Sequence, residues 1–369
     1  MSANKWMSKL TKDFGQVASG LKKNEPQIIP SWSPSLNWAT GIGGFKPGKI
    51  NILYGPESSG KSMLSMMAIV ELQKRDPEAI GIWFDSEFSF NTDFFIRLGG
   101  DADRLIVRKS NNPLMIFDYI GGELLELLQD GAPVKAIVID SIRSIRYPKD
   151  MKKQSTDMVM GGTGANYLPS AFKMILPVIH ENNLLTFCVQ QVSIQIDPMK
   201  ALRNPYVLPD GQALKHAADL MLEITKLDTK AGVIEKGETI AGGAAQLGHK
   251  VRVKVRKNRM GMPARVAQFT FHYEKGIMDR GGEIFELAKS LGIIKHPINP
   301  DTGKENNQMW VFENDSPVRG EQNMKNLVIS DRFLQERVIN SCYSFQDSKT
   351  EVDELGFVED SEESLVQME

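Results

Sequence analysis

Apolar residues along this chain fall into two rhythms. Short uninterrupted runs, Ile50–Tyr54 (INILY), Ala79–Phe84 (AIGIWF), Val134–Ile139 (VKAIVI) and Leu184–Val189 (LLTFCV), have the length and composition of buried strands. Elsewhere apolar positions recur at helical spacing. Trp6, Leu10, Phe14, Val17 and Leu21 mark an amphipathic helix over 5–23, and Met63, Met66, Met67, Val70 and Leu72 another over Met63–Lys74. A further helix is expected at Phe172–Glu181, with Pro177 as an awkward interior residue. Apolar runs separated by helices predict an α/β protein, a mostly parallel sheet flanked by helices.

The pattern changes further along. Ala218–Thr225 and His249–Arg256 read as strands joined by a Gly/Ala-rich connection, and Ala267–Tyr273 completes a hairpin. Arg252, Lys254 and Arg256 alternate with Val251, Val253 and Val255, so one strand face is basic, as a solvated sheet edge often is. After Gly281-Gly282 come helical spacing at Ile284, Phe285, Leu287, Ala288 and Leu291, a polar linker at Pro297–Asn307, a short strand at Met309–Phe312 and an amphipathic helix at Leu327–Cys342. The expected division is an N-terminal helix-strand arm at 1–35, a core at 36–280, a small α+β domain at 281–345 and an acidic, disordered tail at 346–369. The arm's extended piece, Gln27-Ile28-Ile29-Pro30, docks either on a neighbouring subunit or on its own domain.

The candidate chemistry begins directly after the first strand. Gly55-Pro56-Glu57-Ser58-Ser59-Gly60-Lys61-Ser62 fits the P-loop spacing, and a helix follows at once. Glycines let the backbone wrap a polyphosphate with its amides inward, and the helix start adds its positive dipole end. Lys61 is then expected at the β- and γ-phosphates and the Ser62 hydroxyl at a magnesium ion. The second strand ends in Asp85-Ser86-Glu87, and Glu87 is the candidate for activating a water, though strand-end carboxylates also serve as caps. The third strand ends in Asp140, which would hold magnesium through water, and the fourth in Gln190-Gln191.

Two long segments follow those last two strands. Tyr147–Pro169 has no apolar period and carries Lys149, Lys152, Lys153, Gly161 and Gly162; Val192–Pro209 carries three prolines with Lys200 and Arg203, and Gly211 lies just past it. They form either one nucleic-acid surface or simple disorder. Charge bears on the choice. Residues 350–369 hold eight acidic and no basic side chains, which leaves 38 acidic against 44 basic in the rest of the chain. A mildly basic body with an acidic tail suggests a polyanion partner and a tail that competes with it, or a merely solvated end. No apolar run approaches the length of a membrane span, and the N-terminus lacks the apolar segment of a secretion signal. Cys188, in a buried-looking strand, and Cys342, in a polar tail, read as inert thiols of a reducing, cytoplasmic compartment.

Taken together, GPESSGKS, DSE at 85–87, IVIDS at 137–141, VQQ at 189–191 and VKVRKNRMGMP at 253–263 resemble the RecA-type homologous recombinases over about residues 30–280. The loops and N-terminus look more like phage-borne, UvsX-like members. The resemblance implies a RecA-like P-loop NTPase core using ATP and Mg2+, with Gln191 sensing the γ-phosphate and Phe94 stacking on adenine. It also implies that Lys257 and Arg259 reach across a subunit interface to a neighbour's ATP, Arg259 replacing the usual lysine. The partners so implied are single- and double-stranded DNA, further copies in a helical filament, and single-strand-binding and loader proteins. A ring helicase and an ATP-held filament with little turnover share this core.

Overall fold

The computed structural model describes residues 25–145, 164–197, 199, 206–209, 211–227, 233–238, 244–299 and 303–352. The expected helix at 5–23, most of the 149–169 loop and the acidic residues beyond 352 lie outside them. The chain runs through α1 (Pro34–Thr40), β1 (Ile50–Gly55), α2 (Lys61–Arg75), β2 (Ile80–Asp85), α3 (Thr92–Arg97), β3 (Leu105–Lys109), α4 (Glu123–Gln129) and β4 (Val134–Asp140). Then follow α5 (Gly164–Glu181), β5 (Leu185–Gln191), β6 (Ser193–Ile194), β7 (Tyr206–Val207), α6 (Gly211–Ala217), β8 (Leu220–Lys226), β9 (Val233–Glu238), β10 (Ala244–Asn258), β11 (Val266–His272) and β12 (Gly276–Met278).

The main sheet has the order β12-β11-β10-β8-β1-β5-β4-β2-β3, with β9 paired to β10. From β8 through β3 neighbouring strands are parallel, whereas β10, β11 and β12 pair antiparallel. The central parallel strands β1, β2, β4 and β5 are buried on both faces, which is why they read as continuous apolar runs. Alternate residues serve opposite cores. Leu53, Trp83, Val138 and Phe187 pack with α2 and α1; Ile52, Phe84, Ile139 and Cys188 pack with α4, α5 and α6. Cys188 is fully enclosed, and burial pushes its thiol up to about 12, as expected of an inert cysteine.

Several elements depart from the sequence expectation. Helix α5 begins at Gly164 and accommodates Pro169 as well as Pro177, so it takes over the end of the predicted 149–169 loop. Val192–Pro209 is not wholly irregular, because β6 pairs antiparallel with β7. The Gly/Ala-rich connection contains β9. Ile29 pairs with Phe45 in an antiparallel bridge and is buried in the core, so this part of the arm packs on its own domain. Directly after this piece, Ser33 caps α1, its hydroxyl accepting from Leu36 N at 3.0 Å, with Pro34 at the first helical position.

Beyond the sheet, α7 (Arg280–Ser290), β13 (Ile294–Lys295), β14 (Met309–Phe312), β15 (Val318–Arg319), α8 (Glu321–Ser330) and α9 (Arg332–Val352) enclose a separate core of Ile284, Phe285, Trp310, Phe312, Val328 and Val338. Cys342 belongs to this core. It is fully buried on α9 rather than in a polar tail, and the helix continues to Val352, into the stretch expected to be disordered. The junction with the main sheet runs through a carboxylate. Glu283 on α7 accepts from the Ser33 hydroxyl and from Ser35 N at 2.7 Å, while its Oε2 is buried with no partner among the described residues. No helix among the described residues is long and apolar enough to cross a membrane.

Candidate nucleotide site

Parallel register brings the chemistry together. Gly55 pairs with Gln191, Asp85 with Asp140 and Asp140 with Val189, so β1, β2, β4 and β5 end along one edge. In parallel sheets that carboxyl edge is where ligands lie. Here it opens on a cavity of about 600 Å3 lined by Glu57 through Met63, Glu87, Asp140, Gln191, His249 and Tyr273.

The loop is shaped by close approach. A Cβ at Gly55 would stand 2.0 Å from Ile224 O. Gly60 has φ +96°, and a Cβ there would meet the Phe271 ring at 2.2 Å. Neither site has room for a side chain, and Gly60 also needs the left-handed conformation. Lys61 folds back over the loop, its ammonium donating to Gly55 O at 3.0 Å and Pro56 O at 2.5 Å. Burial lowers its pKa, against the opposing fields of Asp140, Glu87 and Glu57. The Ser59 hydroxyl is buried with no partner among the described residues, a polar atom in the cradle suited to an anionic ligand.

The acidic wall is equally organised. Asp140 is pushed up to about 6 by burial, then by Glu87 and Asp85, while a hydrogen bond from Ser62 pulls it down. Ser62 and Asp140 thus sit together as oxygen donors, which suits a magnesium ion that keeps its waters and takes its other ligands from phosphate. Among the described residues no cluster of three His, Cys, Asp or Glu offers a self-sufficient metal cage. Glu87 Oε1 accepts from Gln191 Nε2 at 2.8 Å and from Ser141 Oγ at 2.5 Å. The carboxylate is therefore aimed into the cavity by β5 and by the residue that follows β4. Asp85 does different work, accepting from Ser89 N and Phe90 N to shape the turn after β2.

The RecA N-terminal domain family matches residues 2–278. The chain belongs to the RecA family. Protein RecA of Aquifex pyrophilus is 30% identical over 293 residues, 78% of each chain. The mitochondrial DNA repair protein recA homolog of Dictyostelium discoideum is 28% identical over 324 residues, 84% of this chain and 67% of that protein. Protein RecA of Bifidobacterium breve is 25% identical over 338 residues, 90% of this chain and 79% of the other.

Within this RecA-family core the expected site residues divide into groups. Glu57, Ser58, Ser59, Gly60, Lys61, Ser62, Glu87, Asp140 and Gln191 share the cavity, and the carbonyls of Gly55 and Pro56 hold Lys61. Phe94 does not line it: the ring is half-buried on α3 against the core, with the Arg97 guanidinium 5.7 Å from its centroid. Lys257 and Arg259 also stand apart. Lys257 donates to Lys215 O and Arg259 to His216 O at 3.3 Å, both on α6, and Arg259 lies 3.5 Å from Asp219. Gly211 starts α6 and lines a second cavity with Lys257. Lys149, Lys152, Lys153, Gly161, Gly162, Lys200 and Arg203 lie outside the described residues. Sequence reasoning missed Ser141, His249 and Tyr273. His249 Nδ1 and Tyr273 Oη are 3.2 Å apart, an aromatic pair at the side of the cavity away from β2, which Glu87 follows. The signal available was the hairpin, which brings the start of its first long strand beside the end of its second.

Proposed function

We propose that this chain is a DNA-dependent ATPase that polymerises on single-stranded DNA and drives homologous pairing and strand exchange, in keeping with its family's place in DNA recombination and repair. The observation that carries this reading is the hydrogen bond between Glu87 and Gln191. It joins the candidate water-activating carboxylate to the last residue of β5, from which the 192–209 segment departs.

The P-loop amides, Lys61 and the start of α2 hold the phosphates of ATP. Magnesium, held by Ser62 and through water by Asp140, neutralises charge at the β- and γ-phosphates when bound. Glu87 orients the attacking water, and Gln191 exchanges its contact with Glu87 for the γ-phosphate, changing the root of the loop. Lys257 and Arg259, which do not line their own cavity, serve that of an adjacent copy, with ATP at each interface. Single-stranded DNA is held through its phosphates by the segments near 149–169 and 192–209, with log Kobs falling about 0.7 per log unit of salt for each phosphate neutralised. Duplex DNA is paired with the held strand, and the acidic tail restrains its entry. Single-strand-binding and loader proteins are the expected accessory partners.

The test is ATP turnover with and without single-stranded DNA, with negative-stain images of both samples. Stimulated turnover with long helical filaments is expected. Stimulated turnover with closed rings would instead indicate a helicase, and filaments without turnover a structural role.

A further inference from the structure

The tip of β5 carries two glutamines, and because side chains alternate along a strand they face opposite sides. Gln191 faces the nucleotide cavity and donates to Glu87. Gln190 faces the other way and is fully buried. Its Nε2 donates to Pro209 O at 3.2 Å, and its Oε1 has no partner among the described residues. Pro209 is where the 192–209 segment returns to the core, two residues before α6. The segment's outgoing end is attached directly to β5, since β6 begins at Ser193. Its returning end is attached to the same strand tip by the Gln190 amide at Pro209, and to the outgoing end by the β6–β7 pairing.

We propose that Gln190 is a positioning residue that makes the returning end of the 192–209 segment follow nucleotide state. This inference rests on the reading above, in which Gln191 senses the nucleotide. The β5 tip is where pairing with β1 ends. Its last tie to β1 is a long bond from Val192 N to Gly55 O at 3.3 Å, and Gln190 itself lies opposite Tyr54 of β1. Beneath the β6–β7 hairpin lies the second cavity, about 530 Å3, lined by Tyr54, Tyr206, Leu208 and Gly211 among others, so the returning end has space to move into. Without the Gln190 amide, a shift of the tip reaches the returning end only through the two residue pairs of β6 and β7, and Pro209 itself is left behind. The hairpin would then pivot instead of moving as a unit.

The experiment measures the affinity of the full chain for a single-stranded oligonucleotide, with and without a non-hydrolysable ATP analogue. Wild type is compared with Gln190→Leu, which removes the amide, and Gln190→Asn, which retains it one methylene short. The affinity gain conferred by the analogue is expected to fall about three- to tenfold in both variants, the scale of one neutral hydrogen bond. Analogue binding at the P-loop is expected to change less than about twofold, because the Gln190 side chain lies outside that cavity. An unchanged gain in both variants overturns the proposal. So does an equal loss of DNA affinity with and without analogue, the signature of a merely structural residue. If the variants do not fold, hydrogen exchange on wild type decides: slowing by the analogue at 208 and 211–213, next to Pro209 and outside the β6–β7 pair, supports the tether, and slowing confined to 192–194 and 206–207 overturns it. A wild-type protein whose DNA affinity ignores the analogue would instead overturn the functional reading on which the proposal stands.

Discussion

Replacing Glu283 by Gln should make the protein less sensitive to pH, by an amount the structure sets. Glu283 lies at the seam between the main sheet and the C-terminal core, with one oxygen taken by Ser33 and Ser35 and the other unpartnered among the described residues. Burial pushes its carboxyl up from 4.5 to about 7, the serine hydrogen bonds and Arg280 opposing. Asp279, Glu286, Lys250 and Lys325 border the adjacent small cavity, and Lys325 is itself paired to Glu286 at 3.0 Å. A carboxyl that is harder to ionise when folded favours the folded state most at low pH. Its contribution is lost as pH rises from the unfolded value near 4.5 through the folded value near 7. At ~1.36 kcal/mol per pKa unit the whole loss is about 3 kcal/mol, of which about 2.5 falls between pH 5 and 8. Glutamine keeps an acceptor for the serines and cannot ionise. Urea unfolding without nucleotide or DNA, at pH 5 and pH 8, should therefore show wild type losing about 2.5 kcal/mol relative to Glu283→Gln. Parallel pH dependences within about 0.5 kcal/mol would refute the claim that burial outweighs the serine hydrogen bonds at this carboxyl.

Two further predictions concern catalysis. Glu87→Gln should lower DNA-stimulated phosphate release by about 10²–10⁴-fold while leaving nucleotide affinity within a few-fold, and surviving turnover would remove Glu87 from its role. Mixing inactive Glu87→Gln with inactive Lys257→Ala should restore turnover to roughly a quarter of the wild-type rate, since random head-to-tail pairing places an intact Glu87 against an intact Lys257 in one contact of four; no recovery would mean that Lys257 serves its own subunit.

Much of the parallel sheet was legible because β1, β2, β4 and β5 are buried on both faces and bounded by glycine or polar residues, so that their apolar runs stop abruptly at Gly55, Asp85, Asp140 and Gln190. Edge strand β3 was not, since only Leu105 of its five residues is buried. Helix α5 was foreshortened because its prolines imitate loop punctuation, although packing of Leu168, Phe172 and Ile175 maintains the helix through Pro169. The phosphate end of the site was readable from spacing alone, because the P-loop is local in sequence. Tyr273 and His249 were not, because their approach depends on the register of β10 with β11, which pairs Gly248 with His272. Glu283 was invisible for the same reason: its serines lie some 250 residues away along the chain.

The strand order also has a consequence for synthesis. β1, which leads into the P-loop, sits between β5 and β8, so Asn51, whose amide reaches Thr186 O at 3.0 Å, waits 135 residues for that partner to be made. At elongation rates of about 5–20 residues per second the wait is roughly 7 to 27 s. Throughout it Ile50, Ile52 and Leu53 have neither strand neighbour available. The most diagnostic stretch of the sequence is thus also the one whose apolar backbone a ribosome-bound chaperone has longest to meet.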